Sequence, residues 1–381
     1  MKDETAQKVI ALAYKDGVAG ATEPTGVKLL GADEIESKPI RWLWMGWLAR
    51  GKLHILAGSP GTGKTTIALS LAACISASLT FPNGQKAEPG KVVIWSGEDD
   101  PGDTLKPRLI AAGADLSQIQ FVGPVIDYDP DSRVNRAFPF DPARDVEKLA
   151  VALAAMDDLA LIVIDPIVSA VSGDSHKNAE TRRNLAPLVE LAVRKDAVLL
   201  GITHYTKGTQ GREPLERVTG SLAFGAMARL VLATVKQRQE ETDETEPNFL
   251  LARVKSNIGK DGGGFVYQFE QVEIEGQIIA NRINWGEAMD GDPRAMIAAA
   301  EADPEDEGND AATFLSDFLR DEPRQAKDIF HEGRAAGYSP DQLKRAKRKA
   351  HVKSEKDGAG AWYWRLRGAD SPAREGKDVP F

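Results

Sequence analysis

Cysteine is almost missing from this chain. Cys74 is the single one in 381 residues, so no internal disulfide can form, which fits a reducing compartment. Histidine is scarce too, with five residues scattered so that none stands with cysteine or carboxylate at metal-ligand spacing. No stretch reaches about 18 uninterrupted apolar residues, so no membrane-spanning helix is expected. Met-Lys-Asp-Glu-Thr at the start leads into no long apolar run, so no signal peptide is expected and the expected location is cytoplasmic. An excess of positive charge is also lacking. The formal net charge is −9, which excludes a uniformly basic nucleic-acid coat but says nothing of local patches. What is present, an apolar fraction of 42% over 381 residues, suffices for one large domain and one small one.

Against this plain background stands the stretch Gly58-Ser59-Pro60-Gly61-Thr62-Gly63-Lys64-Thr65, which fits G-x-x-x-x-G-K-[ST] at every position. An apolar, strand-like run, Lys52–Ala57, precedes it. Thr66–Ile75 follows with apolar residues at helical spacing. A strand, a glycine loop and a helix N-terminus together make an anion site: glycine lets the backbone approach phosphate, and successive N–H groups point inward at the helix's positive end. Residues 58–66, Thr66 included, are therefore expected to hold ATP. Lys64 is expected to reach the β- and γ-phosphates, and Thr65 to place its hydroxyl on Mg²⁺. Cys74 falls on the apolar face of the helix, where packing is its expected role.

From about residue 52 to 285, strand-like runs alternate with helical segments. The runs are 52–57, 91–96, 160–164, 197–203, 229–235 and 249–255. That alternation predicts an α/β fold with a doubly wound, mostly parallel sheet. Closer runs near 265–270 and 277–283 suggest an antiparallel extension. Trp42, Trp44 and Trp47 precede the first strand; closing the bottom of a domain is favoured over a nucleobase platform for them. The expected layout is an N-terminal extension over 1–39, the ATPase domain over 40–290, an acidic linker over 291–310, a small domain over 311–367 and a disordered tail over 368–381.

Three further positions carry chemistry. Leu161-Ile-Val-Ile-Asp165 is an apolar strand that ends in a carboxylate, which would bring Asp165 to the carboxyl edge of the sheet to share Mg²⁺ with Thr65. Lys91–Ser96 is followed by Gly97, Glu98, Asp99 and Asp100. Glu98 is the candidate for activating water, and Asp99 and Asp100 suit a helix cap. Val198–Thr203 ends in His204, placed to touch the γ-phosphate; the plainer reading is a hydrogen-bonded strand-end histidine.

This order of glycine loop, Glu98, Asp165, His204 and then Gly220–Arg229 resembles the RecA-like ATPase core over roughly residues 40–285. More closely, it is similar to the RepA-type hexameric helicases of plasmids and related ATPases of phages and mobile elements. The segment Asp165–His176 shares that look. The resemblance implies a homo-oligomer, a hexamer, with nucleotide between subunits and a basic residue reaching the neighbour's γ-phosphate. By matched position that residue is Lys255, with Arg253 and Arg217 as reserves. It also implies single-stranded DNA passing two loops of a central channel, about 171–180 with His176 and Lys177, and about 205–219 with Lys207, Arg212 and Arg217. Neither loop is densely basic or aromatic.

The small domain reads as helix 311–320, helix 325–336, a turn at Gly337–Pro340, helix 341–350, a glycine-tipped turn and an aromatic strand at Trp362–Leu366. That order resembles a winged helix. In its third helix Leu343, Ala346 and Ala350 are spaced for the core, leaving Lys344, Arg345, Lys347 and Arg348 on the other face for duplex DNA. The expectation from sequence is thus a DNA-associated ATPase with a replicative role in a mobile element. An ATP-dependent DNA-binding regulator, or an ATPase whose small domain docks a protein, stand as alternatives.

Overall fold

The computed structural model describes residues 29–129, 134–173, 177–206, 209, 212–218, 222–238, 247–302, 304–320, 322–356 and 361–366. The chain divides into two compact units, Met1–Ile40 and Arg41–Phe381. Among its described residues the first unit holds a single 3₁₀ turn, Ala32–Glu34.

The second unit contains, in chain order, β1 (Trp42–Trp44), β2 (Leu48–Ala49), β3 (Leu53–Gly58), α1 (Lys64–Ser76), β4 (Lys91–Ser96), α2 (Lys106–Ala111), β5 (Ile119–Phe121), β6 (Val125–Asp129), β7 (Val134–Phe138), α3 (Val146–Ala152) and β8 (Leu159–Asp165). It continues with α4 (Asn178–Arg194), β9 (Val198–His204), α5 (Leu222–Met227), β10 (Leu230–Lys236), β11 (Phe249–Ser256), β12 (Gly264–Ile274), β13 (Ile278–Met289) and α6 (Pro293–Glu301). Last come α7 (Pro304–Phe318), β14 (Arg324–Gln325), α8 (Ala326–Ala335), α9 (Pro340–Lys349), β15 (Val352–Lys356) and β16 (Trp362–Leu366).

Nine strands form one sheet in the order β13-β12-β11-β10-β3-β9-β8-β4-β5. The six from β10 to β5 pair in parallel, and β10 through β13 pair antiparallel. This is the mostly parallel α/β sheet that the alternation predicts, and it is consistent with the RecA-like core that the resemblance implies. Parallel strands are covered on both faces, which is why β8 reads Leu-Ala-Leu-Ile-Val-Ile-Asp and is buried throughout. One face carries Leu185, Leu188 and Leu191 of α4, packed with Ile55, Ile162, Leu199 and Val231 of the strands. The other carries α1, whose Ile67, Leu71 and Ile75 pack with Leu56, Val92, Val163 and Leu200.

Helix α1 is buried nearly all round, which a sheet on one side alone cannot achieve. Its second cover is the β12–β13 hairpin, which curls back so that Phe265, Tyr267 and Ile283 join the same cluster. Trp285 Nε1 donates to Ser70 Oγ of α1 at 3.1 Å. Of the three tryptophans near the start, Trp44 and Trp47 are core and Trp42 is half-buried: Trp44 stacks between Trp47 at 4.9 Å and Phe81 at 5.1 Å.

The stretch expected as an acidic linker is helical over most of its length. Helix α6 is capped by Asp292, which accepts from Ala295 N, and it buries Met296, Ile297 and Ala300 on the sheet's α4 face. Helix α7 begins at Pro304, earlier than the expected 311. Three apolar residues at helical spacing outweigh the acidic composition around them. Helices α7, α8 and α9 and the small sheet β14-β16-β15 then enclose a separate core of Leu315, Ile329, Leu343, Ala346, Val352 and Trp364. Among the described residues no helix is long and apolar enough to cross a membrane.

Candidate nucleotide site

Four neighbouring parallel strands deliver the site. The sheet order β3-β9-β8-β4 sets their carboxyl ends side by side, with Gly58 opposite His204 and Ser96 opposite Asp165 in register. Ligands collect at this edge in open α/β sheets. The loop after β3 turns through Gly61 and Gly63, at φ of 78° and 73°, where a side chain would be strained. Gly58 is required for another reason: a Cβ there would lie 2.0 Å from Thr234 Oγ1. Helix α1 starts at Lys64 with no side-chain cap on its first N–H groups, leaving that positive end open to phosphate.

A cleft of about 330 Å³ opens here, lined by Gly61, Gly63 and Lys64 to Thr66, and by Glu98, Arg108, Asp165, Ile202, His204, Phe269 and Asn281. Lys64 Nζ donates to Gly58 O at 3.1 Å and to Ser59 O at 3.0 Å. Burial brings its pKa down to about 8, against the pull of Asp165 and Glu98. Thr65 Oγ1 donates to Asp165 Oδ2 at 2.6 Å. Burial raises Asp165 to about 6, opposed by the Thr65 bond. Two hard oxygens this close, one of them a carboxylate, are a donor set that suits Mg²⁺ completed by substrate phosphate.

The acidic run after β4 sorts itself. Asp100 caps the following turn by accepting from Gly102 N at 2.7 Å and Asp103 N at 3.1 Å. Asp99 pairs with Arg108 at 3.2 Å. Glu98 is the one that lines the cleft, its Oε1 3.8 Å from His204 Nε2. His204 is held below its ordinary pKa, by burial first and by Lys64 second, so it is neutral at pH 7. Its buried Nδ1 has no hydrogen-bond partner among the described residues.

Several basic residues lie elsewhere. Arg217, expected at DNA, is 3% exposed. It grips Glu301 of α6 through two bonds of 2.6 and 3.0 Å and lies 4.3 Å over the Tyr205 ring. The sequence showed an arginine in a polar loop and not the helix that receives it. Arg217→Ala should therefore cost about 3–5 kcal/mol of stability, because Glu301 would be left largely buried and unpaired. Denaturant unfolding measures this, and a loss below about 1 kcal/mol would show that Glu301 finds water instead.

Lys255 caps the C-terminal end of α5, donating to Gly225 O at 2.7 Å and Ala228 O at 3.0 Å. Arg253 is buried, bonded to Gly46 O at 2.7 Å and stacked on Trp47. Both side chains are thus bonded within the chain. Arg212 and Lys177 are exposed, whereas His176 and Lys207 lie outside the described residues. On α9, Lys344, Arg345 and Arg348 are exposed and Leu343, Ala346 and Ala350 are buried, as their spacing predicts. Lys347 departs from that face. It bonds Ser354 Oγ and sits 4.4 Å over the Trp364 ring. The glycine tip at 357–360 lies outside the described residues.

Sequence reasoning missed Arg108, Phe269 and Asn281. Arg108 sits one helix beyond Glu98. Phe269 and Asn281 come from the hairpin some two hundred residues after the glycine loop. The alternation of Phe265, Tyr267 and Phe269 signalled a common face, but nothing local signalled what that face covers.

A comparison with curated proteins finds no match to the chain. Residues 22–210 match the family model described as an AAA domain. With the glycine loop, Asp165 and His204 inside the matched span, the match supports an AAA-type P-loop ATPase domain, a class that binds nucleotide and usually Mg²⁺.

Proposed function

We propose that the protein is an ATP-hydrolysing, DNA-associated motor, a RepA-like replicative helicase or helicase-like ATPase of a plasmid, phage or integrated element, working as a homo-oligomeric ring. In this reading Lys64 neutralises the γ-phosphate, and Thr65 with Asp165 holds Mg²⁺. Glu98 takes the proton of the attacking water, and neutral His204 registers the γ-phosphate by hydrogen bonding. When bound, Mg²⁺ supplies charge neutralisation on the phosphate oxygens. The small domain acts as a winged-helix anchor on duplex DNA.

The observation that carries the DNA half is helix α9. Ser339 and Gln342 close a capping box at its start, so its position is well defined. Lys344, Arg345, Arg348 and Lys349 lie exposed along it, in a chain whose overall charge is negative. Such a local basic face attracts phosphate and releases counterions. The full chain should bind duplex DNA with affinity that falls steeply with salt. Alanine at these four positions should reduce the slope of log K against log salt by about 3 to 4. Binding that ignores salt would favour a protein-docking module. Single-stranded DNA should raise the ATPase rate at low salt if the protein is a motor. A second reading, an ATP-dependent DNA-binding regulator without unwinding, gains support from Arg217 and Lys255 both being engaged within their own chain. An ATPase rate indifferent to single-stranded DNA would select it.

A further inference from the structure

The phosphate loop is gripped from two sides by residues beyond the matched span, which ends at 210. From beneath, Thr234 of β10, fully buried, meets Thr62 Oγ1 through its own Oγ1 at 2.6 Å and donates to Ala57 O at 3.3 Å. Thr62 Oγ1 also bonds Ser59 O across the loop at 2.8 Å. From above, the fully buried Tyr267 of β12 donates its hydroxyl to Thr62 O at 2.6 Å. Two residues on, and so on the same face of the strand, Phe269 lies against Gly63 so closely that a Cβ there would meet Cζ at 2.4 Å. Phe249 braces both rings, stacked on Tyr267 at 5.4 Å and edge-on to Phe269 at 4.9 Å.

A loop that binds phosphate with its own N–H groups loses affinity when those groups wander, because ordering them then falls on the ligand. We propose that Thr234, Tyr267 and Phe269 are positioning residues that hold the loop over Thr62 and Gly63 in its phosphate-binding shape, so that the β12–β13 hairpin is part of the ATP site although it lies far outside the glycine motif. The proposal rests on the ATPase reading for its substrate. It adds that the hairpin, besides covering α1, sets nucleotide affinity. Substrate and product share the loop, so the effect falls equally on ATP and ADP. None of the three touches Lys64, Glu98 or Asp165 through a hydrogen bond, so the effect is expected on binding and not on the chemical step.

Tyr267→Phe keeps the ring and removes one O–H, and Thr234→Val keeps the shape and removes the other. Each is expected to raise KM for ATP, and Kd for Mg·ADP by direct titration, about five- to tenfold, the scale of one hydrogen bond. Turnover at saturating ATP should stay within about twofold of wild type, the pattern of lost uniform binding. A merely structural role would lower the folded fraction, cutting apparent kcat while leaving KM and Kd unchanged. That result, or unchanged Kd in well-folded variants, overturns the proposal. If Tyr267→Phe fails to fold, Phe269→Leu is read by the same two measurements. Binding of ADP is scored apart from hydrolysis. A wild-type chain that binds ADP without turning over ATP would refute the hydrolytic reading and still test the hairpin.

Discussion

Lys64→Ala is expected to lower ATP turnover by at least about two orders of magnitude, the scale for one preorganised charge donor lost from an active site, and to weaken ATP binding as well. Nζ donates to Gly58 O and Ser59 O, and Lys64 is buried while lining the cleft, so the ammonium is already desolvated beside the expected phosphate position. Its pKa of about 8 keeps it mostly charged at neutral pH. The alanine variant loses more than a phosphate contact. Asp165 is already raised by burial and by the charges of Glu98 and Asp99, and Lys64 is a cation that opposes them. Without it Asp165 should take up a proton more readily, and a protonated carboxyl is a poor Mg²⁺ ligand. Steady-state ATPase assays and direct nucleotide titration check both parts. Turnover within tenfold of wild type would show that another cation serves the γ-phosphate.

How much of this site was legible in the sequence depends on how locally each part is encoded. The glycine loop needs specific backbone freedom at Gly61 and Gly63, and this leaves a fixed spacing that can be read directly. Asp165, Glu98 and His204 were placed by a weaker rule, that strand ends of a parallel sheet collect function. The order β3-β9-β8-β4 is what turns that rule into contact. The reverse case is Arg217. Its neighbours Gly211, Arg212 and Glu213 read as a polar binding loop, but Glu301 lies eighty-four positions away, on a helix hidden within an acidic run. Ion pairs of that span leave no local pattern. The second cover of α1 is a similar case. Thr66–Ile75 has almost no polar face, which signals burial on all sides, but the hairpin that provides it is known only from the folded chain.

Glu98→Gln should leave ATP binding within a few-fold of wild type and lower turnover by about 10²- to 10⁴-fold, the usual share of a general base. The amide matches the carboxylate in size and can still accept a hydrogen bond, but it cannot carry away the proton of a water attacking phosphate. Geometry singles out Glu98 among its acidic neighbours. Asp100 is spent on capping the turn at Gly102 and Asp103, and Asp99 on Arg108, while Glu98 lines the cleft beside His204. Asp99→Asn and Asp100→Asn therefore serve as controls: their damage should appear as lost stability or a displaced loop, with a much smaller fall in kcat. His204 presents Nε2 toward Glu98 at 3.8 Å, and its Nδ1 is buried. Single-turnover measurement with saturating enzyme separates chemistry from release. Wild-type single-turnover rates in Glu98→Gln would move the water-activating role off this loop, while a loss confined to steady state would place it in product release.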